Sequence, residues 1–291
     1  MPRITENLND CAARLRAGQL VAMPTETVYG LAADARQDTA VQQEFALKGR
    51  PGNNPLIVHL ENAAQATEWA SVVPTAAKEL MAACWPGPLT LVLPARDEVS
   101  RLVTAGQDSV ALRVPAHPTA RALLSAFGGA LVAPSANRYM SISPTCAAHV
   151  AQQFAGSDLL ILDGGSCQVG LESTIVSVLP GDRPRLLRTG MLGQSALEAV
   201  LGQPLADRDG GPRAPGQHHR HYAPTTTTLT FRETPTEALG SADSGWLWCT
   251  NAQPTHGPAL DLGADPHVYA ANLYAALYEL DALDLRRLYI Q

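Results

Sequence analysis

Lys48 and Arg50 stand either side of a glycine in the run Lys48-Gly49-Arg50-Pro51-Gly52-Asn53-Asn54-Pro55. Two cations followed by a Gly/Asn/Pro turn suit an anion held jointly by side chains and exposed backbone N–H groups. At roughly 4 Å and an effective dielectric near 20, each cation–phosphate contact carries a Coulomb energy of about 4 kcal/mol before desolvation. Two such contacts can hold a polyphosphate. The run is not a Walker loop, because GxxxxGK[ST] is absent. It also reads as a helix C-terminus, where Lys48 and Arg50 would complement the dipole.

Three further polar clusters interrupt apolar segments. Pro24-Thr25-Glu26-Thr27-Val28-Tyr29-Gly30 puts two hydroxyls and a carboxylate at a strand end, where α/β folds place ligands; Thr25 or Thr27 capping a following helix is the alternative. Arg113 falls inside the apolar run Val110–Val114, where a cation needs a partner, either an acid of the protein or a carboxylate ligand. Ala133-Pro134-Ser135-Ala136-Asn137, with Ser141 and Ser143 beyond it, offers hydroxyl and amide groups, although turn chemistry alone also suits it.

The elements that position these clusters follow from hydrophobic periodicity. Strand-like runs are expected at Leu20–Met23, Leu56–Leu60, Leu89–Leu93, Val110–Val114, Ala130–Ala133, Leu159–Leu162, Thr174–Leu179 and Arg185–Arg188. Helical patterns fall at Leu8–Leu15, Thr39–Leu47, Thr75–Cys84, Pro118–Phe127, Thr145–Phe154 and Ser195–Leu201. The alternation predicts an α/β domain with helices packed on a sheet. Residues 206–224, rich in Gly, Pro and His and without apolar period, read as a linker. Beyond it, Leu229–Phe231, Gly245–Cys249 and a helix over Pro266–Leu280, with Val268, Ala271, Leu273, Ala275, Leu277 and Leu280 as its apolar candidates, predict a second, small α/β domain.

Composition sets the limits. The chain has 291 residues, 46% hydrophobic and 16% charged, which is material for a large core and for about two domains at roughly 100–200 residues each. No signal peptide pattern and no apolar run of roughly 20 residues is visible, so a cytoplasmic protein without a membrane span is expected. Five scattered cysteines (Cys11, Cys84, Cys146, Cys167, Cys249), none spaced CxxC, argue against a disulfide framework or a cysteine zinc site. The net charge of −6 argues against a protein that coats nucleic acid. Only two of the 21 basic residues are lysine, Lys48 and Lys78.

In combination the motifs are specific. PTETVYGLA, KGRPGNNPLIVHL, WPGPLTLVL, VALRVPAHP, APSAN, ESTIV and LLRTG occur in an order and wording that resemble the YrdC-like family, whose members make L-threonylcarbamoyl-adenylate. The likeness spans roughly residues 4–205 and continues into APGQHHRHYAP, which is similar to the SPGMKYRHYAP linker of the longer, two-domain members. It implies a twisted mixed sheet with flanking helices (residues 1–205), a linker loop over the active site (206–224) and a small Rossmann-like C-terminal domain (225–291).

The resemblance also implies a reaction: L-threonine, bicarbonate and ATP give L-threonylcarbamoyl-AMP and pyrophosphate, the first step toward the t6A modification of tRNA. Lys48, Arg50, Ser135 and Asn137 look like the family's KxR/SxN tetrad beside the reacting groups. Thr25, Thr27, His59, Arg113, Ala133 and Ser173 look like the threonine pocket, with Arg113 clamping the carboxylate bidentately. Arg50, Asn54, Ser109, Ser135, Ser143, Arg188 and Tyr222 look like the ATP contacts. Read by itself, His59 is more readily a strand histidine satisfied in the core than a ligand contact.

Glu26 and Glu172 are candidates for ordering water or partner side chains. Mg²⁺ is expected on the phosphates rather than in a protein cage. Hand-over of the product to a downstream threonylcarbamoyl transferase is expected too. In the linker, Ala214, Gln217, His218 and His219 depart from the family pattern, while Pro215, Gly216 and Arg220–Pro224 keep it; its three histidines suggest pH-sensitive closure. After Leu288–Gln291 the family's usual tail is not found, so an incomplete second domain is one expectation. The alternative functions are an RNA-binding module, disfavoured by the acidic balance, the carbamoyl-phosphate-processing relative inside hydrogenase-maturation proteins, whose cysteine-rich zinc modules this chain lacks, and an inactive paralogue.

Overall fold

The alternating pattern resolves into one large mixed sheet and one small parallel sheet. The computed structural model describes residues 1–207, 210–216, 222–232, 243–250 and 256–291. Linker positions Gln217, His218, His219, Arg220 and His221, and with them the expected pH-sensitive closure, lie outside the described residues.

The large sheet contains β1 (Arg3–Thr5), β2 (Val21–Met23), β3 (Gly30–Asp34), β4 (Ile57–His59), β5 (Leu89–Pro94), β6 (Ser109–Arg113), β7 (Leu131–Val132), β8 (Leu160–Leu162), β9 (Thr174–Ser177) and β10 (Arg185–Arg188), in the order β1-β8-β2-β3-β7-β4-β6-β5-β9-β10. The pairings β1–β8, β8–β2, β4–β6 and β5–β9 are parallel and the rest antiparallel. The strand after the Thr-Glu-Thr cluster settles one alternative: the chain runs into β3, not into a helix, so Thr25 caps a turn by accepting from the N–H of Thr27 and Val28.

Helices cover both faces. On one, α1 (Leu8–Arg16) and α5 (Pro118–Phe127) bury Cys11, Leu15, Leu123 and Leu124 against Val21, Leu131 and Leu160. On the other, α2 (Asp38–Lys48), α3 (Thr75–Cys84), α6 (Ala147–Gln153) and α7 (Gln194–Leu201) contribute Val41, Phe45, Leu80, Val150 and Leu197 to the main core. A short α4 (Arg101–Thr104) lies between β5 and β6. Local chemistry fixes the ends. Asn7 caps α1 by accepting from Asn9 N and Asp10 N, and His117 with Pro118 starts α5. Gly49 closes α2 at φ +67°, a left-handed C-cap that turns the chain away immediately after Lys48.

The C-terminal sheet contains β11 (Thr227–Thr230), β12 (Ser244–Trp248), β13 (Ala259–Asp261) and β14 (Arg287–Ile290), ordered β11-β14-β12-β13 and parallel throughout, with α8 (Pro266–Asp281) between β13 and β14. The last four residues before Gln291 are thus a central strand. In α8 the apolar face departs from the periodicity. Ala270, Tyr274, Ala276, Leu277, Tyr278 and Leu280 turn inward, while Val268 is exposed. The helix is apolar nearly all round, so spacing did not select a face; partners for the Tyr274 and Tyr278 hydroxyls did.

Those partners belong to the large domain. Tyr278 OH donates to Ile142 O (2.8 Å) and accepts from Gln153 Nε2 (3.1 Å), and its ring stacks on His149 at 3.9 Å. Val28 and Ile142 share a core with Leu247, Leu277 and Leu280. At Gly170 (φ +71°) a Cβ would lie 2.6 Å from Ala270 O and Ala271 Cα, so α8 seats its backbone directly on this loop. Among the described residues no helix is long and apolar enough to cross a membrane.

Candidate active site

One cleft gathers most of the chemistry. It lies where β3 begins and β4, β6 and β10 end, beside the C-terminus of α2. Its wall includes Thr25, Thr27, Lys48, Arg50, Asn54, His59, Arg113, Ala133, Ser135, Asn137, Ser173, Arg188 and Tyr222. Two of the expected residues stand elsewhere. Ser143 is buried behind the wall, donating to Glu172 Oε1. Ser109 begins β6 opposite Pro94, four residues (about 13 Å at 3.3 Å per residue) from Arg113, where Ala214 of the linker covers the neighbouring Ala111.

At one end of the cleft Arg113 meets its acid. Nη2 donates to Glu26 Oε1 (2.6 Å), Nη1 to Thr27 Oγ1 (2.9 Å) and Nε to Gly87 O (3.3 Å). Glu26 Oε2 accepts from Ala116 N (3.1 Å), so both carboxylate oxygens are committed. Of the five guanidinium N–H groups, two stay uncommitted among the described residues, facing a site with Thr25 Oγ1 and Thr27 Oγ1 2.8 Å apart. His59 pairs in register with Arg113 across β4 and β6. Burial, and secondarily Arg113, pushes its pKa down to about 3, so the imidazole is neutral.

The other end is cationic. Lys48 is buried, and its Nζ donates to Ser135 O and to Asn137 O (2.8 Å). The lysine thereby grips the Ser-x-Asn loop by its backbone. Burial pulls its pKa down to about 7, partly offset by Glu44. Arg50 donates through Nη2 to Pro55 O (2.9 Å) and Asn54 O (3.3 Å), while its buried Nε has no hydrogen-bond partner among the described groups. Asn137 spends both N–H on Arg138 O (2.8 Å) and Ser141 O (2.7 Å), leaving buried Oδ1 as an acceptor without a donor. A buried donor and a buried acceptor left open in a cleft mark where a ligand completes the network.

Arg188 ties the wall to the linker. Nε and Nη2 donate to Ser173 O and Oγ (both 3.0 Å), and Nη1 to Pro215 O (3.1 Å) and Tyr222 OH (3.2 Å). Pro215, Gly216 and Tyr222 line the cleft, so these described linker residues form part of its wall. The second acid, Glu172, accepts from Ser143 Oγ and from Tyr274 OH (2.7 Å) of α8. Tyr274 went unnoticed in the sequence, as did the wall residues Tyr139 and Met140; the latter follow the Ser-x-Asn motif by two and three positions, a signal that adjacency offered. Among the described residues no group of three or more His, Cys, Asp or Glu side chains is placed to hold a metal ion.

The mixed sheet thus carries a cleft lined by Lys48, Arg50, Arg113 and Arg188, with linker residues in its wall. The comparisons name the family. The Sua5/YciO/YrdC model, described as telomere recombination, matches residues 13–190, and the model described as threonylcarbamoyl-AMP synthase, C-terminal domain, matches residues 192–291. The chain belongs to the Sua5/YciO/YrdC family. Curated relatives named threonylcarbamoyl-AMP synthase include those of Bacillus subtilis (46% identical, covering 74% of this chain) and Pyrococcus abyssi (42%, covering 75%). The matched regions span 63% and 66% of those relatives, just under two thirds of their lengths. The crystal structure of P. abyssi Sua5 complexed with L-threonine superposes with a TM-score of 0.91 at 33% identity, covering all of this chain and 92% of that one.

Proposed function

We propose that this chain synthesises L-threonylcarbamoyl-AMP from L-threonine, bicarbonate and ATP, releasing pyrophosphate. The observation that carries the reading is the polarity of this cleft. Arg113, with Thr27 beside it, offers N–H and hydroxyl groups for an amino acid carboxylate at one end. Arg50, Lys48 and Arg188 supply positive charge for phosphates at the other. The whole-length likeness to a Sua5 solved with L-threonine supports it.

The reaction asks for positioning rather than a protein nucleophile. The threonine ammonium first loses a proton; the neutral amine then attacks the bicarbonate carbon, and water leaves to give the N-carboxylate. One oxygen of that carbamate attacks the α-phosphorus, and the bond to the β,γ-pyrophosphate breaks. The carbamate is a weak, short-lived nucleophile, so its rate depends on being held dry and in line. Asn137 Oδ1 accepts from the carbamate N–H, and Arg50 Nε donates to an anionic oxygen; both atoms are otherwise without partners. Arg113 takes the threonine carboxylate with its two remaining N–H groups, its orientation fixed by Glu26. Neutral His59 adds no charge there.

Mg²⁺ enters as part of the nucleotide substrate. Glu26 and Glu172, the two acids nearest the cleft, have their oxygens engaged by protein donors and do not compete for it. The product is a mixed anhydride, so the next reaction is transfer of the threonylcarbamoyl group to an amine; on the family resemblance that amine is on the adenosine beside the tRNA anticodon, reached through a separate transferase. The test is pyrophosphate release from Mg–ATP with L-threonine and bicarbonate omitted in turn. Release that needs both, and that falls at least a hundredfold in Arg50→Ala and Arg113→Ala, is expected. Release that needs neither overturns the reading.

A further inference from the structure

Glu44 is a buried charge that the reaction does not use. It lies on α2 one turn before Lys48, it is fully buried, and neither carboxylate oxygen has a hydrogen-bond partner among the described groups. Helix geometry puts residues i and i+4 on one face, with Cβ atoms about 5–6 Å apart. Lys48, at the end of that face, donates only to the carbonyls of Ser135 and Asn137, which carry partial charges but no countercharge. No ion pair closer than 4 Å joins Lys48 to any described acid; the buried pair in this region is Arg113–Glu26. A carboxylate in an apolar core is expensive, and this one lies a helical turn from the lysine that lines the cleft.

We propose that Glu44 is a positioning residue for Lys48: its carboxylate, sealed beneath the cleft, is the countercharge that keeps the Lys48 ammonium protonated while that ammonium holds the Ser135–Asn137 loop. The charged groups acting on Glu44 are Lys48 and Arg50, and those acting on Lys48 are Glu44 and Arg50. Burial raises Glu44 to about 6 and lowers Lys48 to about 7, while their mutual attraction opposes both movements. Removing the carboxylate leaves Lys48 facing only Arg50, a like charge, and its deprotonation becomes easier.

The composition supplies a direct readout. Lys48 and Lys78 are the only lysines in the chain, so lysine labelled with 13C at Cε gives two side-chain NMR signals, and Lys78→Arg assigns them. The full-length protein is titrated from pH 5.5 to 10 as wild type, Glu44→Gln and Glu44→Asp. The expected result is a Lys48 midpoint lower by about one pH unit in Glu44→Gln, with Glu44→Asp returning toward wild type and Lys78 unmoved throughout. Glu44→Met, which fills the site with an apolar chain of similar size, is expected to lower the midpoint likewise and serves if the glutamine variant does not fold. An unchanged Lys48 midpoint in the folded Glu44→Gln or Glu44→Met protein overturns the proposal, since Glu44 would then be protonated and silent. The measurement needs no turnover, so its failure is separate from failure of the synthase reading.

Discussion

Arg113 Nη2 and Glu26 Oε1 lie 2.6 Å apart, both side chains almost wholly buried, joining residues 87 positions apart in the sequence. The pair makes the Arg113 end of the cleft a fixed feature of the fold. Removing one partner of a buried ion pair costs about 3–5 kcal/mol, because the other is left uncompensated. Glu26→Gln is therefore expected to lower the urea midpoint and, by releasing the guanidinium, to raise the KM for threonine more than that for ATP. Equilibrium unfolding and threonine titrations check this; a midpoint like that of wild type would show that Arg113 finds another partner.

His59 makes stability pH-dependent in a defined window. Its folded pKa, about 3, lies below the ordinary 6.5, so the unfolded chain binds this proton first as pH falls. The contribution to stability is fully present above pH 6.5 and is lost on descending toward pH 3, by up to about 1.4 kcal/mol per pH unit. His59→Gln should flatten the stability profile between those limits while leaving its shape above pH 7 unchanged. Chemical denaturation at half-unit pH steps reads the slope directly. Equal slopes in both proteins would assign the acid sensitivity elsewhere.

The C-terminal domain reaches the cleft wall through the Tyr274 hydroxyl and through packing on Val28. Tyr274 OH and Ser143 Oγ together satisfy Glu172, which precedes the Arg188 partner Ser173. Hydrogen bonds to a charged group are each worth about 1.5–3 kcal/mol. Tyr274→Phe keeps the ring and removes the donor, so it is expected to destabilise by about that amount and to raise the KM for ATP. Tyr278→Phe, which loses the bonds to the Ile142 carbonyl and from Gln153 Nε2 farther along the interface, is expected to cost about 1–3 kcal/mol with smaller kinetic effect. Paired unfolding and kinetic measurements on the two variants separate a brace for the site from general adhesion between domains.

How much of this was legible in the sequence depended on where each partner lay. Runs such as Leu89–Leu93 and the helix over Thr75–Cys84 declared themselves by apolar period, because their partners are a core. Arg3–Thr5 and Gly30–Asp34 did not: one is a three-residue, largely exposed edge strand, and the other reads Gly-Leu-Ala-Ala-Asp, small residues without alternation. In the site, Lys48 and Arg50 stood out by type and spacing. Glu26 stood as a candidate for ordering water or side chains with no named partner, since Arg113 is distant in the chain, and Tyr274 was lost within an all-round apolar helix. Glu44 sat on the buried face of an expected helix, where only its charge was unusual.

Gly190, in the run Leu186-Leu187-Arg188-Thr189-Gly190, shows how two motifs lean on each other. A Cβ there would meet Glu172 O at 2.5 Å, Thr174 N at 2.6 Å and Ser173 C at 2.9 Å, all backbone atoms at the start of β9. No side-chain rotation relieves such contacts, so Gly190→Ala must displace the segment carrying Glu172 and Ser173, and with it the anchor of Arg188. Overpacking of this kind costs about 1–3 kcal/mol, and the nucleotide end of the cleft should lose affinity while threonine binding changes less. Gly193→Ala is the matched control, because a Cβ there meets nothing within 4 Å. Calorimetric titration with a non-hydrolysable ATP analogue and with threonine checks both; equal behaviour of the two variants would mean that the close approach at Gly190 is not what sets the Glu172–Arg188 wall.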